Sequence, residues 1–291
     1  MPADFEDYFY PRADGRLQLY ARDYGGEGPA LLMMHGLTRN SADFGDLAVR
    51  LAGRYRVVAV DQRGRGQSDY DTEPANYTPA IYCGDMLALI ARLELDRPVL
   101  IGTSMGGLMA MIMGSMAPAA YRGIVLNDVG PVLEQSGLDR ITGYIGKTAA
   151  VTDWQSAAAY CRDTNGYAFP GYDEDDWMAF AGRLFIEDEA GVPRLAYDPV
   201  IANGLQGDEP SAVPPDLWPL WDALKPIPIL AVRGAISDIL SAETLAEMGE
   251  RHPGMEAIEV AGVGHAPMLD EPEAVTAIEA FLSKVCAGSL A

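Results

Sequence analysis

Between Val99 and Tyr121 the chain carries no formally charged side chain. A stretch of that length either crosses a bilayer or sits in the middle of a folded core. Gly102, Gly106, Gly107, Gly114 and Pro118 interrupt it, and its flanks lack the one-sided basic residues of a spanning helix. It therefore reads as a strand over Pro98 to Ile101, a tight turn, and a buried helix from Leu108 to Met116.

The same strand–helix rhythm extends on both sides. Leu17 to Tyr24 alternates, and Ala30 to Met34 and Arg56 to Val60 are short apolar runs. Ala42 to Ala52 and Pro79 to Leu93 have helical spacing, the latter with proline in its first turn. Gly123 to Leu126 is a further strand. Strands that are apolar throughout and alternate with helices predict a largely parallel sheet covered on both faces. After Pro131 the rhythm stops. It resumes with a strand at Ile227 to Val232, a helix at Ser241 to Arg251, a strand at Met255 to Val260 and a closing helix at Pro272 to Val285. The expected organisation is an α/β core over 1–130 and 216–291, with a helical insertion over 131–215.

Asp and Glu number 42 against 21 Lys and Arg, a net charge of −21. Such a field repels nucleic-acid phosphate and anionic lipid, so neither is expected as a partner. A small, neutral or apolar molecule is the expected ligand. Cys83, Cys161 and Cys286 are too few and too widely spaced for a disulfide framework or a metal site. Three buried thiols and an N-terminal stretch without an apolar segment predict a cytoplasmic protein. Asp173 to Asp176 lacks the ligand spacing of a calcium loop and reads as a solvated helix start. No metal or cofactor is expected.

The chemistry concentrates at Gly102-Thr103-Ser104-Met105-Gly106-Gly107. A G-x-S-x-G sequence between a strand and a helix places its serine on a strained turn at the sheet edge. A serine hydroxyl needs a base to act as a nucleophile. Of three histidines, His265 lies in a loop beyond the last strand, where open α/β sheets place their chemistry. His35 follows an early strand. His252 ends a helix and reads as a surface residue. The third member is a carboxylate that follows a strand. Asp238, beyond the Ile227 to Val232 strand, is favoured over Asp128, beyond Gly123 to Leu126.

With His35-Gly36, the run from Asp61 to Ser68, the Ser104 turn, the Asp238 turn and Gly264-His265 in this order, the chain resembles the α/β-hydrolase superfamily. It is closest to the branch with a helical cap. The resemblance implies an eight-stranded, mostly parallel sheet and a Ser104–His265–Asp238 triad. It further implies an oxyanion hole made by the N–H groups of Leu37 and Met105, with His35 and Arg63 structural. Serine at 104 argues against the dehalogenases and epoxide hydrolases of this fold, which attack with aspartate. Cleavage of a small carboxylic ester or lactone through an acyl-enzyme is the favoured activity. A C–C hydrolase of aromatic ring-cleavage products is the alternative, and a non-catalytic receptor on the same fold is the reading from another class.

Overall fold

The structure is a computed structural model that describes residues 4–12, 15–147, 150–205 and 216–287. Its centre is an eight-stranded sheet. In chain order the strands are β1 (Glu6–Pro11), β2 (Gln18–Asp23), β3 (Ala30–Met34), β4 (Arg56–Asp61), β5 (Val99–Thr103) and β6 (Gly123–Asn127). After a small hairpin, β7 (Phe185–Glu187) with β8 (Pro193–Leu195), the sheet is completed by β9 (Ile229–Gly234) and β10 (Met255–Val260). The spatial order is β1-β2-β4-β3-β5-β6-β9-β10. β2 runs antiparallel to both its neighbours, and every other pairing within this sheet is parallel. The expected fold, an α/β-hydrolase sheet with helices on both faces, is the one observed.

Alternate residues of each central strand serve opposite faces. Leu32, Met34, Leu100 and Leu126 join one apolar layer, under α2 (Pro79–Arg92) and α3 (Met105–Met116). Leu31, Met33, Ile101 and Val125 join the other, under α1 (Gly45–Ala52) and the C-terminal α9 (Pro272–Val285). Both layers exclude water, which is why these strands read as unbroken apolar runs. α3 takes up the uncharged stretch and is too short to cross a bilayer. Among the described residues no helix is long and apolar enough to do so.

Between β6 and β9 lie α4 (Gln135–Tyr144), α5 (Trp154–Asn165), α6 (Glu174–Leu184), the β7–β8 hairpin and α7 (Trp218–Ala223). Residues 206–215, the end of the expected insertion, lie outside the described residues. Asp173 is the N-cap of α6 in a reciprocal capping box with Asp176, so the acidic run is a helix start. The segment has its own apolar cluster, in which Trp177, Phe180 and Leu184 meet Ala157 and Cys161. Backbone bonds tie it to the sheet's loops. Gly66 N–H donates to Ala196 O at 2.8 Å, and Gly264 N–H to Ala168 O at 2.7 Å. A further helix, α8 (Ala242–Arg251), stands between β9 and β10.

Candidate active site

Ser104 occupies the single position between β5 and α3 and has φ of +52°. A non-glycine residue held there stores about 1–3 kcal/mol of strain. The surroundings enforce it. A Cβ on Gly102 would meet the Gly106 carbonyl oxygen at 2.3 Å, and one on Gly106 would meet the Met34 carbonyl oxygen at 2.0 Å. The Ser104 N–H donates to Asn127 O at 2.9 Å, and its carbonyl accepts from Gly107 and Leu108 at the start of α3. The strand, the turn and the helix are thus packed too closely for larger residues.

His265 comes from the loop beyond β10. Its Nε2 lies 2.9 Å from Ser104 Oγ. Asn127 steadies that loop by donating from Nδ2 to Pro267 O at 2.7 Å. The other ring nitrogen, Nδ1, lies 2.8 Å from Asp128 Oδ2. Asp128 follows β6 directly. Its φ of +57° is one that aspartate tolerates better than most residues. Its N–H donates to Val232 O at 2.7 Å. The fully buried carboxylate also accepts from Gly234 N–H at 2.8 Å and from the Ser237 hydroxyl at 2.6 Å.

The carboxylate expected beside His265 was Asp238, and here the structure corrects the sequence reading. Asp238 Oδ2 accepts from Arg140 Nε at 2.7 Å, and its Oδ1 from Arg140 Nη2 at 2.9 Å. Tyr167 Oη lies 3.2 Å from Oδ1 and 3.1 Å from His265 O. Partial burial pushes the Asp238 carboxyl up. The Arg140 guanidinium, aided by His265 and Tyr167, outweighs that and holds it below the usual carboxylate range. The physical reason for the exchange is reach. Asp128 is the first residue past its strand, whereas Asp238 lies four residues past β9, in a loop that presents Ser237 to Asp128 instead. Asp238 ties α4 to that loop.

The other two histidines divide differently from expectation. His35 is buried. Its Nε2 accepts from Gln62 N–H at 2.9 Å, so its proton sits on Nδ1, which donates to Gly36 O at 2.6 Å. Burial pushes its pKa down to about 3, so it stays neutral. It shapes the turn that carries Leu37. His252 is buried too, not on the surface. Its Nε2 lies 3.0 Å from Leu224 O, and its ring packs against Trp221. Gly36 brings the Leu37 turn close to Ser104, since a Cβ there would lie 3.7 Å from Ser104 Cβ. Met105 is the first residue of α3.

Ser104, His265 and Leu37 share one cavity. Tyr160, Phe169 and Phe180 line it from the inserted segment, while Trp177 packs in that segment's core and Trp154 donates to Glu187 at 2.8 Å. The lining is mostly apolar, with polar groups set among the apolar side chains. It includes Tyr144, Asn165 and the ion pair of Arg39 with Asp43. Arg39 engages Asp43 through Nε and Nη2 and stacks on the Phe180 ring at 4.1 Å. Burial acts against its charge, but Asp43 more than restores it. Sequence reasoning found no cation for this pocket. Arg39 lay four residues past His35 without a periodic signal to mark its direction.

The chain belongs to the alpha/beta hydrolase family, whose pattern it matches over residues 31–278. It is similar to an alpha/beta hydrolase of known structure from Novosphingobium aromaticivorans. The two are 42% identical with a TM-score of 0.91, covering 98% of this chain and all of that one. A 3-hydroxybutyrate-oligomer hydrolase of Cupriavidus necator is 35% identical over 87% of this chain and 88% of that protein. A 2-(acetamidomethylene)succinate hydrolase of Mesorhizobium japonicum is 30% identical over 91% and 92% respectively.

Proposed function

We propose that the protein is a serine ester hydrolase whose triad is Ser104, His265 and Asp128. The observation that carries this is the continuous path from Ser104 Oγ through the His265 ring to Asp128, with links of 2.9 and 2.8 Å. Ser104 Oγ attacks the ester carbonyl while His265 Nε2 takes its proton. His265 then gives the proton to the leaving alcohol, and water repeats the sequence on the acyl-enzyme. Asp128 fixes the proton on Nδ1 and stabilises the imidazolium. The N–H groups of Leu37 and Met105 receive the oxyanion, each worth roughly 3 kcal/mol of barrier at comparable sites.

The substrate class we favour is a short acyl ester with a further oxygen on the acyl chain, of which a hydroxyacyl ester is the simplest. Arg39 offers a charge-assisted donor, and Asp43 cancels its net charge, so a neutral oxygen is accepted without a free cation. The similarity to a 3-hydroxybutyrate-oligomer hydrolase supports the same class. Residues 131–215 act as the cap that selects it. A second reading, an acylated enamide bearing carboxylates, draws on the resemblance to the 2-(acetamidomethylene)succinate hydrolase.

A panel of 3-hydroxybutyrate dimer, plain butyrate ester, lactone and acetamidomethylene succinate tests this, with Ser104→Ala as control. The proposal expects the hydroxyacyl ester to have the highest kcat/KM and Ser104→Ala to lose at least about three orders of magnitude. Highest turnover of the enamide moves the second reading forward. Retained turnover in folded Ser104→Ala removes the triad.

A further inference from the structure

Two arginines stand two residues apart after β4, and their surroundings differ. Arg63 is fully buried but held by two carboxylates. Asp85 takes Nε at 2.9 Å and Nη2 at 2.6 Å, and Asp71 takes Nη1 at 2.7 Å. Arg65 is just as buried, yet among the described residues no carboxylate lies within 4 Å of it. Its donors meet neutral groups. Nε donates to Leu37 O at 2.9 Å, and Nη1 to Arg63 O at 2.8 Å and Tyr82 Oη at 2.9 Å. Nη2 lies 3.9 Å from Met105 Sδ. The Tyr82 and Tyr77 rings flank it, with their centroids 5.0 and 5.7 Å from its guanidinium carbon.

A buried cation without a counter-ion is expensive to keep, since desolvation is offset by no opposite charge. The two residues that Arg65 touches toward the site are Leu37 and Met105, the two that carry the oxyanion-hole N–H groups. The only anion formed beside them is the tetrahedral oxygen, which exists during the reaction and not before it. Fixed charge aimed at charge that develops only in the transition state is the arrangement that lowers a barrier most.

We propose that Arg65 is the counter-charge of the oxyanion hole: it positions Leu37 and Met105, and its buried cation stabilises the negative oxygen that their N–H groups hold. The inference rests on the Ser104 reading above. Arg65 does not touch substrate and is a positioning residue. Its neutral cradle of carbonyls, phenol and rings keeps the charge uncommitted until the oxyanion appears.

A trifluoromethyl ketone matched to the acyl chain tests this. Ser104 Oγ bonds to the ketone carbon, the carbonyl π pair moves to oxygen, and the serine proton passes to His265 Nε2. The product is a stable hemiketal oxyanion, whose pKa is read by fluorine NMR titration. In Arg65→Met that pKa is expected to rise by about one pH unit or more, the equivalent of ten-fold in oxyanion stability. kcat for the ester should fall by about ten-fold or more while KM stays within about two-fold. Arg65→Lys keeps the charge but loses the fork. It should hold the hemiketal pKa within about half a pH unit of wild type, even if the melting temperature drops. A folded Arg65→Met with the wild-type hemiketal pKa overturns the proposal. If Arg65→Met does not fold, Arg65→Lys decides alone. A hemiketal pKa that rises by about one pH unit in it means that the fork matters and the charge does not, which also overturns the proposal. Wild-type enzyme that forms no hemiketal on Ser104 removes the nucleophile assignment and this inference together. A normal Ser104 adduct that is insensitive to both substitutions removes the inference alone.

Discussion

The turn after β6 and the loop after β9 each present an aspartate at the same edge of the sheet, and only one of them meets His265. Asp128 is buried, sits one residue past its strand and has three donors converging on its carboxylate. Asp238 is partly exposed, sits further out and is occupied by Arg140 and Tyr167. The difference teaches that strand-then-loop placement is not enough. A triad acid must be close to the strand end, because each added loop residue lets the side chain drift toward other partners. Here the drift is put to use, since Asp238 ties α4 to the loop after β9 and, through Tyr167, to the His265 loop.

Exchanging the two carboxylates for amides gives the largest contrast. Asp128→Asn should lower kcat by about 10³- to 10⁴-fold, because the amide no longer enforces the His265 tautomer. Asp238→Asn should leave kcat within about five-fold. Steady-state kinetics on both folded variants check this, and the reverse order returns the acid role to Asp238.

A smaller effect separates Arg39 from the proposed triad. Arg39→Met should lower kcat/KM for a hydroxyacyl ester by about ten-fold, the worth of one charge-assisted hydrogen bond, and leave a plain alkyl ester nearly unchanged. Asp43→Asn should raise turnover of carboxylated acyl esters relative to neutral ones, because it leaves the guanidinium charge uncancelled. Equal losses on both substrates in Arg39→Met would make the ion pair purely structural.

The smallest effect concerns the Asp238 clasp. Its carboxyl is held below the usual range when folded, so the native state binds that proton less tightly than the unfolded chain does. The contribution is therefore complete above the unfolded value of about pH 4, and it is lost as pH falls through the lower folded value. A partly exposed pair of this kind is worth about 1 kcal/mol or less. Wild type should melt slightly above Asp238→Asn at neutral pH, and the gap should close in acid. A gap that persists in acid would place the stabilisation elsewhere.

The core was legible wherever burial leaves a simple mark. β3, β4, β5, β6 and β9 are unbroken apolar runs because helices cover both faces. β1 left no such mark. It is an edge strand in which only Tyr10 is buried, so Glu6, Asp7 and exposed Phe9 concealed it. The β7–β8 hairpin has three residues per strand, too few to show a period. Ser104 and His265 were readable because glycine spacing and loop position point to them directly. Choosing Asp128 required the register of β6 against β9, a three-dimensional fact. Its one signal in the chain was contact with the strand end itself, Leu126-Asn127-Asp128. The half-buried Arg39 and the buried Arg65 were invisible for a related reason, since nothing local says that a charged side chain turns inward.

Labelling with a fluorophosphonate, followed over time and mapped by peptide mass, tests the central claim most directly. The account predicts a single adduct on Ser104. It should form at closely similar rates in wild type and Asp238→Asn, and about three orders of magnitude more slowly in Asp128→Asn. An adduct on another residue, or an Asp238→Asn enzyme that labels more slowly than Asp128→Asn, would contradict it.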